Sequence, residues 1–185
     1  MRQLTLIMTE SVDGYVVKPD GMAVGAMQEP SELKRWKLDR ISRAGAHAMG
    51  RKTYQAMSTF WPKSKDSYAA PMNDIPKIVF SKTLRSADWA ETTIASGDLT
   101  EEITLLRQQR GGEIIAWGGA QFAQSLSREK LIDEYVIITS PVAYGSGKPL
   151  FLDLPEALEL RLLAATSFAS GHILRLYTPK GRDDV

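Results

Sequence analysis

The chain has 185 residues, 43% of them hydrophobic and 24% charged, which suits one globular, soluble domain with a sizeable core and is short for two. Its 23 basic and 22 acidic residues leave a formal net charge of +1, so nucleic-acid and membrane partners find no support, and only a local cluster of cations is left to hold a small anion. Cysteine is absent, which removes disulfides, thiol nucleophiles and thiolate metal sites together.

The N-terminus "MRQLTLIMTESVDG" meets Ser, Asp and Gly too early for a signal peptide, and no later run approaches membrane length, so the cytoplasm is the expected location. Residues 3 to 8 read as a first strand, with a turn at Asp13-Gly14 before a short apolar piece. "KPDGMAVGAMQEP" lacks any period and is expected to be a flexible loop. "PSELKRWKLDRISRAG" predicts a helix with Ser31 as N-cap, Leu33, Trp36 and Ile41 facing inward and Gly45 at its end. "AHAM" is a brief buried strand, and Gly50 and "RKTYQAM" open a second helix. "STFWPKSKDSYAAPMND", with Pro62 and Pro71, is expected to be an irregular surface loop.

The second half alternates more regularly. "KIVFS" and "TTIA" are strands, and "GDLTEEITLLRQQ" is a helix with Asp98 or Thr100 near its start and Leu99, Ile103 and Leu106 on one face. "EIIAW" is a strand, "AQFAQSLSR" a helix and "DEYVIITSPV" a strand; the end of the chain folds into an antiparallel hairpin around Ser170-Gly171. Strands alternating with helices predict a three-layer α/β domain whose mixed sheet is mainly parallel and ends in that hairpin.

Two strand-to-helix junctions carry the chemistry: Gly50-Arg51-Lys52-Thr53 and Gly118-Gly119-Ala120. Glycines at such a junction have two readings. They let a helix pack close to the sheet, or they let an anion reach free N–H groups at the helix start. "FSKTLR" ends another strand with Ser81, Lys82 and Arg85. One crevice edged by Arg51, Lys52, Lys82 and the Gly-Gly turn suits a dinucleotide, and the extra cations favour a 2′-phosphate, hence NADPH over NADH. Against this stands the reading of the same cations as solvated surface charge. His47 and His172 stand alone in expected strands and read as structural. Glu32 in a first helical turn reads either as favourable helix-end charge or as an active-site carboxylate beside Trp36. No hydrolase or zinc-enzyme pattern appears.

The segment from "GDLTEEITLL" to "GSGKPLF" resembles the reductase half of the bifunctional deaminase-reductase of riboflavin biosynthesis, a branch of the dihydrofolate reductase-like superfamily. "SVDGYV" resembles that branch's Ser-Leu-Asp-Gly-Phe segment, "MGRKTY" the superfamily's Met-Gly-Arg-x-Thr turn, and "IVFSKTL" the strand that ends at the adenosine phosphate. The resemblance implies a dihydrofolate reductase-like fold over residues 1–185 and an NADPH-dependent reductase acting on a small-molecule substrate. By position it implies Gly118, Gly119, Ala120 and Gln121 at the pyrophosphate and Gly50, Arg51, Lys52 and Thr53 on its other side. Arg51, Ser81 and Lys82 fall near the 2′-phosphate, Thr9 beside the nicotinamide, and the stretch from Val17 to Met27 forms a closing loop. "PSEL" resembles the acidic motif of folate enzymes and puts Glu32 at the acidic position, so dihydrofolate reduction is the alternative activity and a nucleotide-binding module without turnover a further one. Lys148, Lys34 or Arg35 is the candidate cation for a substrate phosphate. The deaminase half, which needs zinc-binding cysteines, is expected to be missing, and relatives imply a homodimer through the far end of the sheet.

Overall fold

The apolar runs of the sequence become strands, and the periodic segments between them pack as helices on both sheet faces. The computed structural model describes residues 1–25 and 29–181. Its elements are β1 (Leu4–Ser11), β2 (Tyr15–Val17), α1 (Ser31–Ile41), β3 (Ala46–Gly50), α2 (Arg51–Phe60), a 3-10 turn (Trp61–Lys63), α3 (Ala69–Asp74), β4 (Lys77–Phe80) and β5 (Thr92–Ala95). They continue with α4 (Leu99–Gln108), β6 (Ile114–Trp117), α5 (Ala120–Arg128), β7 (Glu134–Ser140), β8 (Lys148–Pro149), β9 (Leu160–Ser167) and β10 (Ile173–Pro179).

Eight strands form one sheet in the order β5-β4-β3-β6-β1-β7-β10-β9. The first six are mutually parallel, β10 runs antiparallel to β7, and β9 antiparallel to β10. This is the mixed, mainly parallel sheet with a terminal hairpin that the sequence predicts. Successive side chains along a strand point to opposite faces, so each face gathers its own core. Leu4, Leu6 and Met8 meet Ile103 and Leu106 of α4 and Ala123 and Leu126 of α5. Ile7, Met49 and Ile138 meet Leu33 and Ile41 of α1, Tyr54 of α2 and Met72 of α3.

The connections leaving β3 and β6 diverge. From β3 the chain passes through α2 and α3 to β4 on one side; from β6 it passes through α5 to β7 on the other. Right-handed crossovers in opposite directions put those helices on opposite faces, so a crevice opens between them at the carboxyl ends of β3 and β6.

Several local expectations change. Pro30 occupies the N-cap position of α1, with no side-chain cap, and Ser31 is the first helical residue. A proline before a helix holds an extended backbone without needing a donor, so no hydroxyl is required there. Asp98 does cap α4, accepting from the backbone N–H of Thr100 at 2.9 Å and of Glu101 at 3.2 Å. The expected irregular stretch after Met57 holds the end of α2, the 3-10 turn and α3. Pro62 and Pro71 each fall in a first turn, where no intrahelical N–H is needed. A two-residue strand, β8, pairs with β2 outside the main sheet.

His47 of β3 is fully buried. Its Nδ1 accepts from Trp117 Nε1 at 3.0 Å, which leaves Nε2 as the protonated nitrogen, donating to the Pro71 carbonyl at 3.1 Å. The expected structural role holds for His47. His172 lies outside β10, in the hairpin turn, where its ring meets the Ser170 hydroxyl. Burial pushes the His47 imidazole from 6.5 down to about 4, with the nearby Lys77 charge acting in the same direction.

The depressed value means the unfolded chain binds a proton at higher pH than the folded one. Stability is therefore fully present above about pH 6.5 and falls as pH drops toward about 4. The loss is on the order of 3 kcal/mol. Urea midpoints between these limits are expected to decline steeply for the native chain, with a distinctly shallower decline for His47→Phe; parallel slopes would remove His47 as the cause.

Candidate active site

Helices α2 and α5 both begin at the crevice, on adjacent strands, since Met49 of β3 lies opposite Trp117 of β6. Each has a glycine as N-cap, Gly50 and Gly119, and neither has a side-chain cap bond. Both helix starts therefore keep unsatisfied N–H groups and the positive end of the helix dipole. The two starts touch. A Cβ on Gly50 would stand 3.2 Å from Phe122 Cβ, and one on Gly119 would stand 3.3 Å from Thr53 Oγ1.

The two neighbouring glycines do different work. A Cβ on Gly118 would stand 2.1 Å from Met8 Sδ, so its missing side chain makes room for the core of β1. Gly119 instead meets only the Thr53 hydroxyl oxygen, 3.3 Å from where its Cβ would stand. The close-packing reading offered by the sequence holds for Gly118.

The other expected cofactor residues are spread along the carboxyl edge of the sheet. Ala120 is buried and presents only its backbone, whereas Gln121, one residue on, is exposed. Arg51, Lys52, Lys82 and Arg85 are exposed, and none makes an ion pair among the described residues. Ser81 ends β4, where its oxygen accepts from the N–H groups of Thr83 at 3.2 Å and Leu84 at 3.0 Å, leaving its own proton to donate outward. Thr9, at the carboxyl end of β1, is covered by Gly25, whose Cβ would stand 2.8 Å from Thr9 Cγ2. Val17 pairs across the small ribbon with Lys148, which is exposed. Of the expected closing loop, Ala26 and Met27 lie outside the described residues.

Glu32 does not fit the role the sequence suggested for it. It is exposed and has no polar partner among the described residues, so no apolar pocket surrounds its carboxylate. At about 100° per residue, inward-facing Leu33 turns Glu32 away from the sheet. The carboxylate that does enter the protein at this lip is Glu29, one helical turn before Leu33. Its Oε2 accepts from Lys37 Nζ at 2.7 Å, and its Oε1 accepts from the Tyr68 hydroxyl. The Glu29 and Lys37 side chains are only 16% and 14% exposed. Burial and the Glu29 carboxylate push the Tyr68 hydroxyl well above its ordinary value, so it stays protonated and donates. Lys34 is committed to Asp66, while Arg35 is exposed and makes no ion pair. Leu33 and Lys37 share a helix face by their spacing of four, whereas Glu29 precedes the helix and had no local signal linking it to them.

A second open recess lies between α2 and the β4–β5 connection, walled by Tyr54, Asn73 and Trp89. Asn73 there is already engaged: it accepts from Trp89 Nε1 at 2.8 Å and donates to the Trp61 carbonyl at 3.1 Å.

The family model for the RibD C-terminal domain matches residues 2–174. The protein YyaP of Bacillus subtilis (strain 168) is 24% identical over 181 residues, covering 95% of this chain and 94% of its own length. YwjB of the same organism is 28% identical over 167 residues, with coverages of 90% and 92%. A putative riboflavin biosynthesis protein from Shewanella sp. PV-4 superposes with a TM-score of 0.79 at 22% identity, over 96% of this chain and 99% of that one. Dihydrofolate reductase from Enterococcus faecalis, complexed with NADP(H), superposes with a TM-score of 0.66 at 15% identity, over 96% of both chains. The fold is dihydrofolate reductase-like. Among the described residues, no helix is long and apolar enough to cross a membrane.

The division of labour between the glycines is open to measurement. Gly118→Ala overpacks the core against Met8 and is expected to lower stability by about 1–3 kcal/mol. Gly119→Ala, whose new methyl meets only a threonine oxygen, should cost under about 1 kcal/mol. Equal losses in urea unfolding would show that both glycines serve packing.

Proposed function

Because the chain belongs to the RibD C-terminal domain family, we propose that it is an NADPH-dependent reductase of the riboflavin-biosynthesis type, acting on a small heterocyclic or sugar-linked substrate. The observation that carries this reading is the meeting of two uncapped helix starts across Gly119 and Thr53, with unpaired cations around them. Such a cradle fits a pyrophosphate: the N–H groups of Gly119, Ala120 and Gln121 approach from one helix and those of Arg51, Lys52 and Thr53 from the other. Arg51 and Lys82, with the Ser81 hydroxyl, are the groups available to a 2′-phosphate. When bound, the cofactor supplies hydride from nicotinamide C4 to a C=N or C=O bond. The protein's part is to orient the two rings and exclude water. Thr9 and the Gly25 backbone above it form the wall on the β1 side. Exposure of Glu32 speaks against the folate alternative as the sequence framed it.

Assembly belongs to the same proposal. Strand β9 closes one edge of the sheet and leaves an unpaired row of backbone groups, with Leu162 51% and Leu163 46% exposed. A long edge with an exposed leucine pair is unfavourable for a monomer, and a second copy of the chain covers it.

Calorimetric titration is expected to give NADPH an affinity at least about ten-fold above NADH, a difference of about 1.4 kcal/mol. Arg51→Ala combined with Lys82→Ala should erase that preference, and Gly119→Ala should weaken both cofactors; a preference that survives the double substitution rejects the 2′-phosphate assignment. For the assembly, light scattering at micromolar concentration should return twice the mass of one chain, falling to one chain in Leu162→Lys. A native monomer there would end the dimer proposal.

A further inference from the structure

An open recess of about 530 Å³ lies at the amino end of the sheet, away from the cofactor cradle. Its walls are Met1 and Arg2, ahead of β1, and Arg107 to Gly111, at the end of α4 and in the turn that follows. Three contacts fix the arginines there. The Arg2 backbone N–H donates to the Arg107 carbonyl at 3.0 Å, and Arg2 Nε donates to the Gly112 carbonyl at 2.7 Å. A Cβ on Gly111 would stand 3.4 Å from Arg2 Cζ, so the Arg2 guanidinium lies against the turn that carries Arg110.

Arg2 differs from the other buried cations at this end. Arg40 is held by Glu113 and Glu134, and Arg107 by Asp133. Arg2 is only 9% exposed, yet it makes no ion pair among the described residues, and its Nη2 is covered without an acceptor. Burying a charge without a counter-ion is costly, and burial here pushes the Arg2 guanidinium below its ordinary value. The last carbonyls of α4 attract cations, which accounts for arginines gathering at this helix end. It does not account for Arg2, whose one side-chain bond goes to Gly112, beyond the helix. Arg110 is exposed and likewise makes no ion pair among the described residues. Two unbalanced positive charges therefore line one recess.

We propose that this recess is a second anion site, for phosphate or a phosphomonoester, with Arg2 and Arg110 as its binding residues. A compact dianion balances both charges, and its oxygens suit the fixed donor fork of a guanidinium. Arg107, already held by Asp133, forms the wall. The bound ion joins the start of β1 to the turn between α4 and β6, at the end of the sheet opposite the cradle. The site is thus independent of the cofactor reading.

The test is calorimetric titration of inorganic phosphate, above neutral pH, into the full chain carrying Arg51→Ala and Lys82→Ala, which removes cations of the cradle. Phosphate is expected to bind at least about ten-fold more tightly than acetate at matched ionic strength. Adding Arg2→Met should weaken phosphate about ten-fold, or about 1.4 kcal/mol, and adding Arg110→Ala about five-fold. Arg110 is exposed and unpaired, so its variant keeps the inference testable if Arg2→Met folds poorly. Lys63→Ala, which removes an exposed cation elsewhere, should change nothing. Methyl phosphate separates the two sources: equal affinity marks a phosphomonoester site and weaker affinity a site for free phosphate, and either supports the inference. No phosphate binding, full affinity retained in Arg110→Ala, or an equal loss in Lys63→Ala overturns it. NADPH titrated into the native chain reports separately on the cofactor reading, so each can fail alone.

Discussion

The divergence of the chain at the ends of β3 and β6 governs the rest of the molecule. Because β3 and β6 are neighbours in the sheet, their following helices start a strand's width apart, too close for two helices to lie side by side on one face. Opposite crossover directions resolve the conflict by sending α2 to one face and α5 to the other. The helices can separate only beyond their first turns, so those turns must touch, and the contact needs residues without side chains. Gly50 and Gly119 are at those two places. The anion-attracting cradle therefore follows from strand order, before any ligand is considered.

Met8 shows how tightly this arrangement constrains its neighbourhood. It belongs to β1, which borders β6 on the side away from β3, and its sulfur fills the volume a Gly118 side chain would need. The Gly-Gly pair is thus shared between a core contact and a surface opening. A single larger residue at either place would be paid for in a different currency, packing at Gly118 and access at Gly119. Trp117, immediately before them, is fixed by its hydrogen bond to buried His47, so the strand enters the turn with its last side chain already tied down.

Much of this was legible in the sequence because the signals were local. The parallel strands, the Asp98 cap, the terminal hairpin and the two glycine junctions each depend on a few adjacent residues whose chemistry fixes the backbone. What the sequence did not disclose depends on contacts between distant segments. Ser31 looked like a cap because serine is a good one, yet the chain enters α1 through Pro30 and has no use for the hydroxyl. The stretch around Pro62 and Pro71 looked irregular because proline breaks helices, but at a first turn it does not. Glu32 matched a motif, but the rotation of α1 about its axis, fixed by Leu33 and Ile41 packing on the sheet, turns it outward, and the inward carboxylate, Glu29, comes from the segment before the helix. Tyr68 had no sequence signal linking it to Glu29, since 39 residues separate them.

Two arginines at the amino end of the sheet are held differently from several cations at its carboxyl end. At the amino end, Arg40 is 15% exposed and is held by Glu113 at 2.8 Å and Glu134 at 2.6 Å, while Arg107 meets Asp133 at 2.8 Å. These cations are neutralised in place and tie α1 and α4 to the starts of β1, β6 and β7; removing one partner would leave a buried charge uncompensated. At the carboxyl end, Arg51, Lys52, Lys82 and Arg85 remain exposed and without an ion pair among the described residues. An anion reaching Arg51, Lys52, Lys82 or Arg85 competes only with water and counter-ions, whereas at Arg40 or Arg107 it would have to displace a carboxylate. With the net charge of the chain near zero, long-range attraction contributes little, so any attraction of an anion depends on local cations that carboxylates do not already hold.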